Sequence, residues 1–224
     1  TRAEVEVRRR LPQGIERQPL IDALAVPGLL PRATVLEPGL DGIANPAPPP
    51  WTATPLAQRK PQLASRAAQI FGDIERPVIR IALPEAPGAD LLLNRLIADW
   101  GTLGLTVELA EPDSPADLKL VDAVAPSTSP AWFLRQFRCG LLPICDEASD
   151  ELMDGARNTP VPAQRNALFA QAAQLVDEQQ LFIPIAAPIR WSLVSDRVQG
   201  FATNRYARHS LASLGERLDR NRGE

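Results

Sequence analysis

The chain has 224 residues, of which 45% are hydrophobic and 23% charged, with a net charge of -3. That size and balance suit a folded protein with a substantial core, and a negative balance argues against a nucleic-acid-binding domain. No run of roughly 18 apolar residues is present to cross a membrane as a helix, and the 23 prolines, crowded into residues 27–61, favour long irregular connections over a helical bundle.

In chain order, Val7, Leu11, Ile15, Leu20, Ile21 and Leu24 give residues 5–24 an apolar helical face, and Pro12 and Pro19 divide it into two short helices. The Arg8-Arg9-Arg10 run reads as the solvated side of the first. From Ala25 to Pro61 the composition turns to Pro, Gly, Ala and Thr, which predicts an irregular strap lying against a supporting surface, with Trp51 as its anchor. Residues 62–71 predict a short helix closed by Gly72.

Val78 to Leu83 predicts a strand, Ala89 to Leu103 an amphipathic helix, and Leu105 to Leu109 a second strand, most simply parallel to the first through a right-handed crossover. Residues 117–124 predict a third strand, followed by a polar turn at 125–130. Trp132, Phe133 and Phe137 begin a short helix. Residues 147–157 predict another, with Leu152, Met153 and Ala156 on one side and Asp146-Glu147 favouring its N-terminal dipole.

A longer helix opens at Pro162 and carries Leu168, Ala172, Leu175 and Val176 at helical spacing. After Leu181 the period changes. The runs Leu-Phe-Ile-Pro-Ile and Trp-Ser-Leu-Val predict extended segments through a core, as far as Gly200-Phe201. The whole reads as α/β without internal repeats.

Cys139 and Cys145 stand six residues apart around Gly140 and Pro143. They are either a disulfide around a small loop, in an oxidising compartment, or two buried thiols. A metal site would need more ligands than these and the single histidine, His209.

Four segments, in order, carry a resemblance: Val7-Arg8-Arg9-Arg10-Leu11 with Gly14-Ile15-Glu16-Arg17 and Leu20-Ile21; the step Gly101-Thr102-Leu103-Gly104-Leu105-Thr106-Val107-Glu108-Leu109; Cys145 to Ala156; and Arg165 to Phe201. Together they resemble the C-terminal portion of the family 5 extracellular solute-binding proteins, the receptors of ABC importers of peptides, nickel and related solutes. The resemblance implies a periplasmic-binding-protein-like α/β lobe with a mixed sheet flanked by helices, and a C-terminal segment returning to another lobe. It divides the chain into a helical start and strap (1–61), the lobe (62–180) and a crossover and return segment (181–224).

The resemblance further implies a periplasmic receptor without a catalytic step or cofactor, holding a small polar or peptide-like solute between two lobes. Its partners would be the importer's membrane subunits and a preceding N-terminal portion. The start of the chain lacks a signal-peptide pattern, so either none is needed or upstream sequence is missing. An interaction piece derived from such a receptor, without ligand binding, is the alternative.

Candidate ligand-reading residues follow from the resemblance. The family's turn after the third strand carries an aromatic residue and an Asp-Pro pair, whose Asp meets the ligand's α-amino group in peptide binders. Here the pair reads Ser129-Pro130 and the aromatic falls near Asp122 or Ala123. A hydroxyl cannot neutralise a buried ammonium. Asp122 either substitutes for the lost carboxylate or is merely capping or solvated.

Ser127, Thr128 and Ser129 either bind a neutral polar ligand or form an ordinary turn. Trp132 follows on the next helix. Arg190 and Trp191 either hold a carboxylate and stack on a ring, or are a core tryptophan with a snorkelling arginine. Phe201 and Asn204 follow Gly200, where the family approaches ligand. No nucleophile elbow, phosphate loop or metal-ligand cluster is present, and His209, between Arg208 and Ser210, reads as a surface histidine.

Overall fold

The computed structural model describes residues 2–72, 77–111, 114–142, 144–187, 189–204 and 212–216, with the backbone alone at 2–4 and 216. Pro143 and the Arg208-His209-Ser210 stretch lie outside the described residues. The helical start is divided as Pro12 predicts: α1 (Arg2–Arg10) and α2 (Arg17–Leu24) flank a 3-10 turn at Leu11–Gly14. Gly14 lets the turn pack closely there: a Cβ would meet Leu103 Cδ1 at 2.7 Å and Trp100 Cδ1 at 3.3 Å, so the Leu103 side chain would have to shift.

The strap runs from residue 25 to a 3-10 turn at Pro50–Ala53. Trp51 does anchor it, between cations: the guanidinium carbons of Arg17 and Arg59 lie 5.3 and 5.1 Å from its ring centroid. Helix α3 spans Leu56–Phe71 and so begins six residues before the expected 62, with Pro61 inside it. Proline removes one helix donor, but burial of Leu56 and Leu63 favours the longer helix. Arg59 also ties the first turn to the carbonyl oxygens of Gln13 (2.8 Å), Trp51 (3.0 Å) and Thr54.

Strands β1 (Val78–Ala82) and β2 (Thr106–Leu109) are parallel and joined through α4 (Ala89–Gly101), as predicted. The three-stranded sheet has the order β2-β1-β3 and is parallel throughout, where a mixed sheet was expected. Ile79, Ile81 and Val107 point into a core completed by Leu92, Leu96, Trp100, Leu11, Ile15 and Leu20, while Val78 and Arg80 are exposed on the opposite face. Trp100 is fully buried and its indole N–H donates to the Leu11 carbonyl at 3.0 Å.

The expected third strand over 117–124 shrinks to β3 (Leu118–Lys119). Its partner sets the limit: Lys119 registers with Ala82, the last residue of β1, and the following Leu83-Pro84 offers no further ladder. Residues 121–124 are exposed.

A second apolar cluster is built by α5 (Pro130–Leu134), α6 (Glu147–Asn158) and α7 (Pro162–Gln179), with Val35, Leu36 and Leu40 of the strap. Helix α6 is capped by Asp146, whose carboxylate accepts the Ser149 N–H at 2.8 Å. Helix α7 buries Phe169, Ala172, Ala173 and Val176 and ends at Gln180 in the left-handed region (φ 49°).

The segment after α7 divides in two. Ile183 and Ile185 pack on the first core, the Ile185 carbonyl accepts the Arg32 N–H at 2.9 Å, and Ala186 bridges to Pro31. The Trp-Ser-Leu-Val run, expected in a core, is outside it: Trp191 is 66% and Leu193 100% exposed. A two-stranded antiparallel pair, β4 (Val198–Gln199) with β5 (Gly215–Glu216), follows.

Candidate functional site

In open α/β sheets ligands collect beyond the carboxyl ends of the parallel strands. Here β1 and β3 run out together at Ala82 and Lys119, and the chain continues as the exposed segment 121–124 and the turn at 125–130. Asp122 meets Arg190 across 68 positions of sequence, with Nη2 donating to Oδ2 at 3.2 Å and to Oδ1 at 3.3 Å. The pair is open to solvent, Asp122 at 54% and Arg190 at 45% side-chain exposure. The structure therefore brings these two candidates together, with Trp191 exposed next in sequence.

The serine turn is half-buried and largely self-satisfied. Ser127 Oγ accepts the Ser129 N–H at 3.3 Å, and the Thr128 carbonyl accepts the Asp41 N–H at 3.1 Å, which ties the turn to the strap. Ser129 precedes α5 without a side-chain cap. Trp132 stacks edge-on against Phe133 (5.1 Å between centroids), and Arg135 lies 6.0 Å from its ring. Phe201 is half-buried and Asn204 exposed, both beyond β4.

Cys139 and Cys145 are joined as a disulfide, and the Cys139 N–H donates to Asp150 at 2.9 Å. Arg138 beside them grips both oxygens of Asp154 at 2.8 Å. That fork lifts Arg138 above its ordinary value and holds Asp154 below the usual carboxylate range. Sequence reading missed this cluster; an Arg-x-x-Arg spacing just ahead of Cys139 is the signal that could have drawn attention to it.

The buried charges belong to the scaffold. Arg17 bonds the carbonyl oxygens of Pro184 (2.8 Å), Pro12 (3.1 Å) and Ile15 (3.4 Å), and burial, with repulsion from Arg59, brings it down to about 10. Desolvation likewise lowers Arg59. Asp99, 2% exposed, accepts the Glu16 N–H at 2.8 Å and Arg95 at 2.5 Å, yet burial holds it above the ordinary aspartate range. Among the described residues no group of three metal-ligating side chains is found.

A parallel sheet with a helical crossover and an exposed polar surface at its carboxyl edge makes an α/β lobe, and its fold is that of the periplasmic binding proteins. Solved structures share this fold: OppA of Burkholderia pseudomallei (TM-score 0.75, 21% identity, 88% of this chain and 42% of that chain), Haemophilus influenzae OppA in complex with RPPGFSPFR (TM-score 0.74, 16% identity, 88% and 42%), and the Escherichia coli murein tripeptide binding protein MppA (TM-score 0.74, 17% identity, 88% and 42%).

In sequence the chain is 27% identical over 134 residues to the probable di/tripeptide-binding protein 5 of Pseudomonas aeruginosa. It is 26% identical over 157 residues to di/tripeptide-binding protein 4 of the same species. These alignments cover 56% and 68% of this chain, which spans only 25% and 27% of those relatives. No family model matches the chain. The resemblance to the family 5 solute-binding proteins, read from four segments, is borne out by these relatives and neighbours.

Proposed function

We propose that the chain is the C-terminal portion of a solute-binding receptor of an ABC importer, which holds a small polar or peptide-like solute between two lobes and performs no catalytic step. The observation that carries this reading is the Asp122–Arg190 pair at 3.2 Å, an exposed acid and base beyond the carboxyl ends of β1 and β3. A zwitterionic ligand can exchange with such a pair, its ammonium taking Asp122 and its carboxylate Arg190, and lobe closure then strengthens both contacts by excluding water. Ser127, Thr128, Ser129, Trp132, Trp191, Phe201 and Asn204 are the further candidates.

In this reading an N-terminal portion supplies the second lobe, the importer's membrane subunits are the downstream partners, and the receptor works in the periplasm. Thermal-shift screening of the longer protein that carries this chain, against di- and tripeptides, metal chelates and sugars, tests it. A shift with one solute class, lost on Asp122→Ala or Arg190→Ala, is expected; no shift with any class overturns it.

A second reading, an interaction piece that no longer binds solute, is favoured by the exposed apolar side chains of Val121 (75%), Trp191 (66%) and Leu193 (100%). It predicts no ligand shift together with a stable complex with a partner polypeptide, weakened by Trp191→Ser.

A further inference from the structure

A cavity of about 630 Å³ is bounded by α5, the 3-10 turn at Arg135–Phe137, the disulfide loop, α6 and α7. It shares no lining residue with the Asp122–Arg190 surface. Its floor is apolar, formed by Ala131, Met153 and Phe169, the last two nearly buried at 4% and 6% exposure. Leu141, 67% exposed, forms the lip, and the Cys139–Cys145 bond closes the loop that carries it. The depression is open to solvent on one side, so a ligand seated on the floor keeps part of its surface in water.

Three arginines and Gln136 complete the lining. Arg138 is committed to its fork on Asp154 and lies 3.9 Å from Asp150. Arg157 is 3.8 Å from the same Asp154 carboxylate. Arg135 has no carboxylate partner among the described residues, and its guanidinium lies 6.0 Å from the Trp132 ring. The rim thus sets the cations Arg135, Arg138 and Arg157 against the two carboxylates of Asp150 and Asp154, leaving Arg135 uncompensated beside an apolar floor.

We propose that this cavity binds an amphipathic carboxylate. Its aliphatic or aromatic body covers Met153, Phe169 and Leu141, and its carboxylate pairs with Arg135. The apolar contact removes chiefly the exposed Leu141 lip from water, and the ion pair gives the preference for an anion over a neutral or cationic molecule of the same shape.

Calorimetric titration of the longer protein that carries this chain with octanoate, against octanol and octylamine as controls, tests the proposal. Octanoate is expected to bind with 1:1 stoichiometry and the controls far more weakly. Arg135→Gln and Leu141→Ser, both at exposed positions, should each weaken octanoate, the first by about tenfold, with the circular dichroism spectrum unchanged; Asp122→Ala should leave it unaltered.

With Arg190→Ala in place to disable the Asp122–Arg190 surface, Leu-Leu and its C-terminal amide separate the two sources of this chemistry. Binding of the free peptide but not the amide assigns the site to peptide C-termini, whereas binding of octanoate alone assigns it to free aliphatic acids. Equal binding of octylamine, an affinity unchanged by Arg135→Gln, or no saturable binding below ~10 mM overturns the proposal.

Discussion

The Asp177 carboxylate near the end of α7 accepts the backbone N–H of Val35 at 2.9 Å and so fastens the strap to the helix that carries the second core. Burial brings Asp177 up to about 6, with the Val35 N–H pulling the other way. In the unfolded chain an aspartate titrates near ~4. Between those values the folded protein binds the extra proton, so this group's contribution is most favourable below about pH 4 and is lost as pH rises through about 6.

Asp177→Asn keeps an acceptor for Val35 and removes the ionisation. It should raise stability at pH 7.5 by about 1–3 kcal/mol, and much less at pH 4. Urea unfolding at both pH values measures the difference. An equal effect at the two would show that the carboxylate's charge is not the cause.

Trp100→Phe removes the indole donor and leaves the Leu11 carbonyl without that partner in the first core. A loss of about 1–3 kcal/mol is expected. Trp100→Ala adds a cavity and should cost about 3–5 kcal/mol. Denaturant midpoints at constant slope read both, and a phenylalanine variant as stable as the parent would remove the hydrogen bond from the account.

Arg17→Lys keeps the charge but not the fork that reaches Pro184, Pro12 and Ile15 while lying over Trp51. The loss should be about 2–4 kcal/mol. Trp51 fluorescence should change with it, which calls for a background in which Trp100, Trp132 and Trp191 are replaced by phenylalanine. An unchanged midpoint would mean that the ammonium satisfies the site equally well.

Reducing Cys139–Cys145, or replacing both residues by serine, opens a loop of six-residue separation. The chain-entropy model gives a cost of about 2 kcal/mol for so short a loop. Because the loop also carries Leu141 and adjoins Arg138, octanoate affinity should fall in parallel. Two free thiols in the protein folded in air, counted by alkylation and mass spectrometry, would contradict the bridge.

Much of the local structure was legible in the sequence because it depends on local periodicity. Leu92, Leu96 and Trp100 lie on one face of α4 at helical spacing, and Ile79 and Ile81 alternate along β1. Asp146 ahead of α6 and Pro162 at the start of α7 act through their own backbone neighbours, and both mark helix starts. The Cys139–Cys145 spacing left two readings open, and the bridge is the one found.

Elsewhere the outcome depended on what lies opposite. Residues 120–124 look like strand, but β1 has ended and no ladder is left to pair with. Pro61 looks like a boundary, but the burial of Leu56 and the carbonyls held by Arg59 carry α3 through it. Trp191 and Leu193 look like core, yet both are exposed.

The sequence by itself determined the order of helices and strands, the parallel crossover and the family resemblance, because each rests on short-range spacing or on motifs in order. Only the tertiary structure decided that Asp122 meets Arg190, that Arg17 and Arg59 share Trp51, and that Asp177 holds Val35. The physical reason is that a spacing records which face of an element is apolar, but not which distant group satisfies a charge or a backbone N–H. That partner is fixed only when the loops close and the cores form.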